Sequence, residues 1–483
     1  MGCIMSEDLK NSEEDVACEE IYSTKKRAFF GLGAIPDQLT YQAFTLLVFS
    51  YYFAVVGLNV LLVTAAYVVW GFWNAVNDPL LGSLSDRTKY KEKFGKRKLY
   101  LIISAIPLSV IMILLFSVPI GNELIEFTYF IIIILTFELI YTMWSVNLNA
   151  IFPEMFPNEQ ERANTNIFIK GFTLVAVILA TALPPLIISP MVPEGNPNLS
   201  TRLEFQGKYI MAGIVLGIII LIAAIIYITK GVEEKEECVE DFEKRPKFFE
   251  SLKITLKNKA FIKFTLSNMC VWFVFTTLLS IFPLYSYWVV GIRQDSVIVS
   301  IALLAAMLVA AVALPVHRKI GQKIGTRNGL MFTCALWIIL LIPYLFLGDG
   351  MGMGLIIVTA LQGLALGGGL FYVDILIGDV IDADQVDYGM KRSASYYGVN
   401  AFVHRFSQIF SILAIGLVFQ GTGWSEYVPA TDQVILGLKL IIFLFPAIAM
   451  GCAFFFLSQF NLHGEKLQEM RKKLAIIQKE NND

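Results

Sequence analysis

Apolar runs of about 20 residues recur along nearly the whole chain, and that is the length an α-helix needs to cross the hydrocarbon core of a bilayer. They fall at roughly 29–57, 58–84, 99–120, 125–152, 164–190, 208–230, 260–290, 296–317, 329–348, 352–381, 393–420 and 433–460. In lipid every backbone polar group must be paired within the protein, so segments of this kind are confined to helices. Composition agrees. Of 483 residues, 56% are hydrophobic and 16% charged, with a mean hydropathy of +0.64, whereas globular chains are about 25% charged. The expected fold class is an all-α membrane protein.

The charged residues sort by loop. The cluster 87–98, Arg162, the linker 231–259, the segment His317 to Arg327 and Lys391-Arg392 alternate with loops that hold only Arg202, Lys208 and Arg293. Cytoplasmic loops carry the Lys/Arg excess, which predicts both termini on the cytoplasmic side of a cell membrane. The net charge of −2 therefore says little, and no nucleic-acid partner is expected. The linker divides the spans six and six. The expected organisation is a tail over 1–28, a six-helix bundle over 29–230, a linker with an amphipathic interfacial helix over 231–259, a second bundle over 260–460, and a tail over 461–483. Phe94-Gly95-Lys96-Arg97-Lys98 after the second span is echoed by Ile324-Gly325-Thr326-Arg327-Asn328 after the eighth. Repeated halves around a midplane site are a transporter architecture. The first residues, Met1-Gly2-Cys3-Ile4-Met5-Ser6, fit either a lipidation signal or a disordered tail, and Asn198-Leu199-Ser200 is a glycosylation sequon.

Ionisable groups inside a membrane are costly and mark pathways or partners. Asn74 and Asp78 share one face of the second span; they read as part of a cation site or as a structural pair at the inner gate. Asp37, beside Gln38, lies inside the first span as a cavity-lining candidate. Glu138 heads a stripe with Tyr141, Thr142, Ser145 and Asn149 on the fourth span, suited to proton or cation coupling or to helix–helix bonding. Arg405 lies about 18 Å into the eleventh span and needs an anionic partner, for which Asp78, Glu138, Asp374 and Asp37 are candidates. His404 beside it is a proton relay or a simply hydrogen-bonded histidine. Asp374 follows Phe371 and Tyr372, an aromatic–acid group suited to a polar ligand. The acids from Asp379 onward run toward the loop and read as gate charges. Catalytic motifs, a P-loop and metal-ligand cysteine spacings do not occur, which argues against an enzyme; no cofactor is expected.

The chain resembles the glycoside–pentoside–hexuronide:cation symporters, the melibiose-permease-like branch of the major facilitator superfamily, which also contains sodium-dependent lysophospholipid symporters. The resemblance rests on Trp73-Asn74-Ala75-Val76-Asn77-Asp78-Pro79-Leu80-Leu81-Gly82, Pro153-Glu154 with Glu161-Arg162, Gly378-Asp379-Val380-Ile381-Asp382-Ala383-Asp384, and Tyr396-Tyr397-Gly398. It implies twelve helices in two six-helix bundles working by alternating access. Together with the residues read inside the spans, it gives an expected coupling network of Asn74, Asp78, Glu138 and Arg405, with Na⁺ sought at Asn74 and Asp78. A cytoplasmic gate would comprise Asp86, Arg87, Arg97, Arg162, Asp379, Asp382, Asp384 and Arg392. The family's paired second-span aspartates fall on Asn74 and Asp78, so one acid remains. Its sugar-holding carboxylates fall on Gln38 and Ser145, and its eleventh-span lysine on Arg405. Substrate would sit near Asp37, Gln38, Ser145, Asn149, Tyr372 and Asp374. The expected function is H⁺- or Na⁺-coupled symport of a sugar or glycoside by a monomer. The alternatives are transport of a lysophospholipid or other amphiphile, and a non-transporting membrane sensor on the same fold.

Overall fold

A computed structural model describes residues 22–88, 94–156, 159–234, 255–294, 296–388 and 393–480. Among these, twelve helices are long and apolar enough to cross a membrane. They are α1 (Thr24–Val56), α2 (Val60–Arg87), α3 (Arg97–Leu114), α4 (Glu123–Met155), α5 (Glu159–Ala182), α6 (Leu199–Ile226), α7 (Lys259–Trp288), α8 (Val297–Ile324), α9 (Thr326–Leu341), α10 (Gly352–Tyr388), α11 (Ser393–Gly421) and α12 (Asp432–Ser458). A further helix, α13 (Glu465–Glu480), follows. With an even number of crossings, the described residues begin and end on one face, called here the terminal face.

The helices run past the apolar runs where polar residues cap them. Asn122 accepts from the N–H groups of Leu124 and Ile125 and starts α4. Asn198 accepts from Thr201 and starts α6 at Leu199 rather than at 208. Such caps satisfy donors that a helix start leaves open. The fifth span, expected to reach 190, extends to Ile187, but its α-helix breaks after Ala182, because Pro184 and Pro185 cannot donate and instead open a one-turn helix, Pro184–Ile187. The lipidation motif, most of the linker with its expected amphipathic helix, and Arg392 lie outside the described residues.

The first six spans pack among themselves, chiefly α3 on α6, α1 on α5 and α2 on α4; the second six do so through α8 on α10, α7 on α12 and α7 on α11. The sequence echo is structural: Gly95 and Gly325 both take positive φ, 66° and 85°, just before α3 and α9, a conformation that favours glycine. The arginines that follow each tie the start of their helix to another helix end, through different partners. Arg97 pairs with Glu154 at 2.6 Å and its N–H donates to Glu234, just beyond α6. Arg327 donates from Nε to the Leu457 carbonyl at the end of α12, at 2.7 Å. The segment expected as a plain C-terminal tail folds as α13, burying Met470 and Leu474 and pairing Arg471 with Asp379 of α10 at 2.8 Å.

The halves meet through α1 with α7, α2 with α11 and α5 with α8. On the face away from the termini they are bonded closely. The Val60 N–H donates to the Ser425 carbonyl at 2.8 Å and the Asn196 N–H to the Tyr427 carbonyl at 3.2 Å. The Tyr427 hydroxyl donates to the Pro193 carbonyl at 2.6 Å, within a cluster of Phe53, Phe419, Trp424 and Trp288.

Within the second half, α8 and α10 touch at backbone distance. A methyl on Gly363 would strike the Ala306 carbonyl, and one on Gly367 the Ala310 carbonyl. Gly363→Ala is expected to cost roughly 1–3 kcal/mol through overpacking, lowering the melting temperature by several degrees in detergent. Gly378→Ala on the same helix meets nothing within 4 Å and is expected to leave it unchanged.

Candidate functional site

Helix α11 delivers Arg405 across the gap between halves to α2 and α4. Its Nη2 meets Asp78 Oδ2 at 3.0 Å and its Nη1 meets Glu138 Oε1 at 2.8 Å; Nη1 also donates to Asn74 Oδ1. The structure therefore brings Asn74, Asp78, Glu138 and Arg405 together, three from one half and one from the other. A guanidinium at this depth needs such neutralisation, and its planar fork reaches two carboxylates at once.

The surrounding shell is polar and specific. Glu138 is wholly buried; its Oε2 accepts from Trp70 Nε1 at 3.0 Å and its carbonyl from Asn77 Nδ2 at 3.1 Å. The Thr142 hydroxyl lies 3.0 Å from Asp78 Oδ1 and 3.1 Å from Glu138 Oε1. Trp70, Asn74, Asn77 and Asp78 follow helical spacing on one face of α2. Sequence reasoning missed Trp70 and the role of Asn77, although their spacing from Asn74 and Asp78 carried the signal. Every carboxylate oxygen of the pair is in contact with a donor. A cation arriving here must compete with Arg405 for them.

Asp37 is buried beside this cluster's helices. Its Oδ2 accepts from Gln38 Nε2 at 2.8 Å, while Oδ1 is buried with no partner among the described residues. Ser145 is buried, and Asn149 is exposed with its amide donating to the Ser145 carbonyl at 2.9 Å. Asp374 pairs across the halves with Lys170 of α5 at 2.5 Å, the two side chains 53% and 57% exposed. Lys170 lies about 16 Å into α5 by helix rise. Charges so exposed at that depth line a water-filled opening, because lipid would penalise them. Lys170 was not anticipated; its place inside a span was the available signal.

Tyr372 is a correction. Expected in the binding cavity, it is fully buried within the second half, its hydroxyl donating to the His317 carbonyl at 2.7 Å and its ring pressed on Gly321 and Gly329. It packs α10 against α8 and α9, because its place on the helix turns it away from the gap that Asp374 faces. His404 stacks edge-on with Trp272 at 4.8 Å, and its Nδ1 lies 3.2 Å from the Ala401 carbonyl, away from the arginine's partners.

The expected gate residues sit at the terminal face. Arg162 donates to the Phe156 and Pro153 carbonyls, Asp379 pairs with Arg471, and Asp384 accepts from Tyr396 at 2.7 Å. Arg97 pairs with Glu154 as described, and Asp382 is half-buried. The side chains of Asp86 and Arg87 lie outside the described residues. A small cleft between α2 and α11 is lined by Gly71, Asn74, Phe402, Arg405, Phe406 and Ile409 and reaches the charge cluster from the side. Among the described residues, no group of three or more His, Cys, Asp or Glu side chains could hold a metal ion.

Two six-helix halves closing over a midplane charge cluster define a membrane transporter of the major facilitator type, not an enzyme. A family model described as MFS/sugar transport protein matches residues 29–464, and the chain belongs to that family. The uncharacterized symporter YjmB of Bacillus subtilis is 21% identical, covering 97% of this chain and 100% of its own. Sodium-dependent lysophosphatidylcholine symporter 1-A of Danio rerio is 21% identical over 93% and 87% of the two chains. The nucleoside transporter NupG shares the fold, with a TM-score of 0.62 at 15% identity over 90% of this chain and 99% of that one. The protein is thus a multi-pass membrane transporter with a small-molecule substrate.

Breaking a buried pair by removing one partner strands the other charge, at a cost of about 3 kcal/mol or more. Arg405→Leu is therefore expected to lower the melting temperature in detergent markedly. Adding Glu138→Gln to Arg405→Leu should recover part of the loss, because one stranded carboxylate is then neutral.

Proposed function

We propose that the protein is a symporter that moves a sugar or glycoside together with H⁺ or Na⁺, oriented with both termini in the cytoplasm. The observation that carries this is the Arg405 fork on Asp78 and Glu138 between the halves. Two acids and one base leave the cluster with one net negative charge, which one monovalent cation neutralises. Asn74 in place of a second acid keeps that count at one. A proton on Glu138, or Na⁺ among the oxygens of Asn74, Asp78 and Glu138, would weaken one of the two carboxylate contacts by which the first half holds the guanidinium. Cation binding would thereby change how firmly the halves hold each other, which is the form coupling takes in alternating access.

The substrate region on this reading is the opening beside Asp37, Gln38, Ser145 and Asn149, with the Lys170–Asp374 pair across it. The family description as a sugar transport protein supports a sugar-class solute, and the unpartnered Asp37 Oδ1 is an acceptor suited to a hydroxyl. The Lys/Arg-rich loops of the terminal face support the orientation.

The cleft between α2 and α11 favours one second reading. Its lining is mostly apolar, with Phe402 and Phe406 beside Arg405, and it would have to widen well beyond its present one-water size to take the head of an amphiphile. The similarity to a lysophosphatidylcholine symporter points the same way.

Proteoliposomes given a panel of sugars, glycosides and one lysophospholipid, each under an imposed H⁺ or Na⁺ gradient, separate these readings. Gradient-driven sugar accumulation is expected. Uptake of the lysophospholipid alone would favour the second reading, and movement of none would overturn both. For the solute that moves, Glu138→Gln is expected to reduce uphill uptake at least tenfold while leaving exchange of labelled for unlabelled solute, since exchange requires no release of the coupling ion.

A further inference from the structure

We propose that Gln408 is a positioning residue of the transport cycle, tying the Arg405 cluster to closure of the face opposite the termini. Gln408 and Arg405 are three residues apart on α11 and so share a face, with Gln408 about 4.5 Å further from the terminal face. It is 2% exposed, and both ends of its amide are used by the other half. Oε1 accepts from the Tyr41 hydroxyl at 2.8 Å, and Nε2 donates to Thr45 Oγ1 at 3.0 Å. Two residues of α11 one turn apart thus reach three helices of the first half: Arg405 takes α2 and α4, and Gln408 takes α1.

The bonds around it form a layer. The Tyr41 ring stacks on Tyr141 of α4 at 5.3 Å, on the same stripe as Glu138. The Thr45 carbonyl accepts from Ser280 Oγ of α7 at 3.1 Å. Toward the terminal face lie the half-exposed Lys170 and Asp374. Away from it the halves are packed side chain to backbone, as where Thr64 of α2 fills the space over Gly416 of α11. Gln408 therefore stands at the boundary between the open site and the sealed half.

Opening the sealed face requires α11 to leave α1, and that movement breaks both amide bonds at once. It also shifts a guanidinium one turn away on the same rigid helix. Buried donors and acceptors left without partners carry a free-energy cost, so the amide weights the equilibrium toward the closed face for as long as Arg405 is seated. Glutamine fits this task where a charged residue would not, because its bonds break without leaving an ion in the seal. The inference rests on alternating access and not on which solute or ion is carried.

The test uses the full chain in lipid nanodiscs, where both faces are open to reagent, with the six native cysteines replaced. Single reporters are Thr64→Cys on the sealed side and Asn149→Cys on the terminal side, labelled with a charged maleimide. Gln408→Ala is expected to raise the labelling rate of Thr64→Cys about tenfold, the scale of losing roughly 1.4 kcal/mol of hydrogen bonding, and to lower that of Asn149→Cys. Gln408→Ala with Tyr41→Phe should label no faster than Gln408→Ala alone. If Gln408→Ala does not fold, Gln408→Met keeps the side-chain length and loses both amide bonds, and a rise in the same direction is expected. Unchanged labelling of Thr64→Cys, a rise at both reporters, or fully multiplicative effects in the double variant would each overturn the proposal. None of these readouts requires a transported solute, so failure of the sugar symport reading leaves this test intact.

Discussion

Burying one guanidinium at mid-membrane depth organises much of this molecule. Even on the most lenient scale an unpaired arginine there costs about 2.5–3.5 kcal/mol, so the chain must supply acids at the same depth from helices that can reach it. It supplies Asp78 from α2 and Glu138 from α4, and those acids in turn require Trp70, Asn77 and Thr142 to engage their remaining oxygens and backbone. The packing of α2 on α4 and the approach of α11 to both thus follow from one charge. Because donor and acceptors belong to different halves, the same interaction that makes the fold tolerable also makes it sensitive to where the halves stand.

Much of the fold was legible in the sequence because its physics is one-dimensional. Apolar run length against bilayer thickness gives the twelve spans, and the echo of Gly95 and Gly325 gives two equivalent halves. What failed was local. The start of α6 at Leu199 depends on the Asn198 cap and not on hydropathy, and the early end of α5 on consecutive prolines. The segment after 461 lies beyond the last long apolar run, yet Met470 and Leu474 fall on one helical face and are buried as α13 packs on α10.

The site was legible to the extent that charge inside a span must be answered. Arg405 demanded an acid, and two of the four candidates are its partners. Which two depends on helix rotation, which spacing along a single helix cannot supply. Tyr372 illustrates the limit: it neighbours Asp374 closely in sequence, but on a helix that separation turns it from the opening to the core. Lys170 and Gln408 escaped notice for the opposite reason, since each is an unremarkable polar residue until a partner from the other half is seen beside it.

The seal on the face away from the termini has a property that concerns how this transporter could vary over time. Three of its cross-half bonds run to main-chain carbonyls, at Ser425, Tyr427 and Pro193, from donors two of which are themselves main-chain, and the Ser189 hydroxyl adds bonds to the Ser296 N–H and the Gln294 carbonyl. Such a closure reads loop path and length in preference to side-chain identity. Lineages could exchange most residues of those loops while keeping the closure, whereas an insertion or deletion of one residue would misalign it. At the Val60 and Asn196 contacts the closure depends on spacing, and a scan of single substitutions there would underestimate their importance.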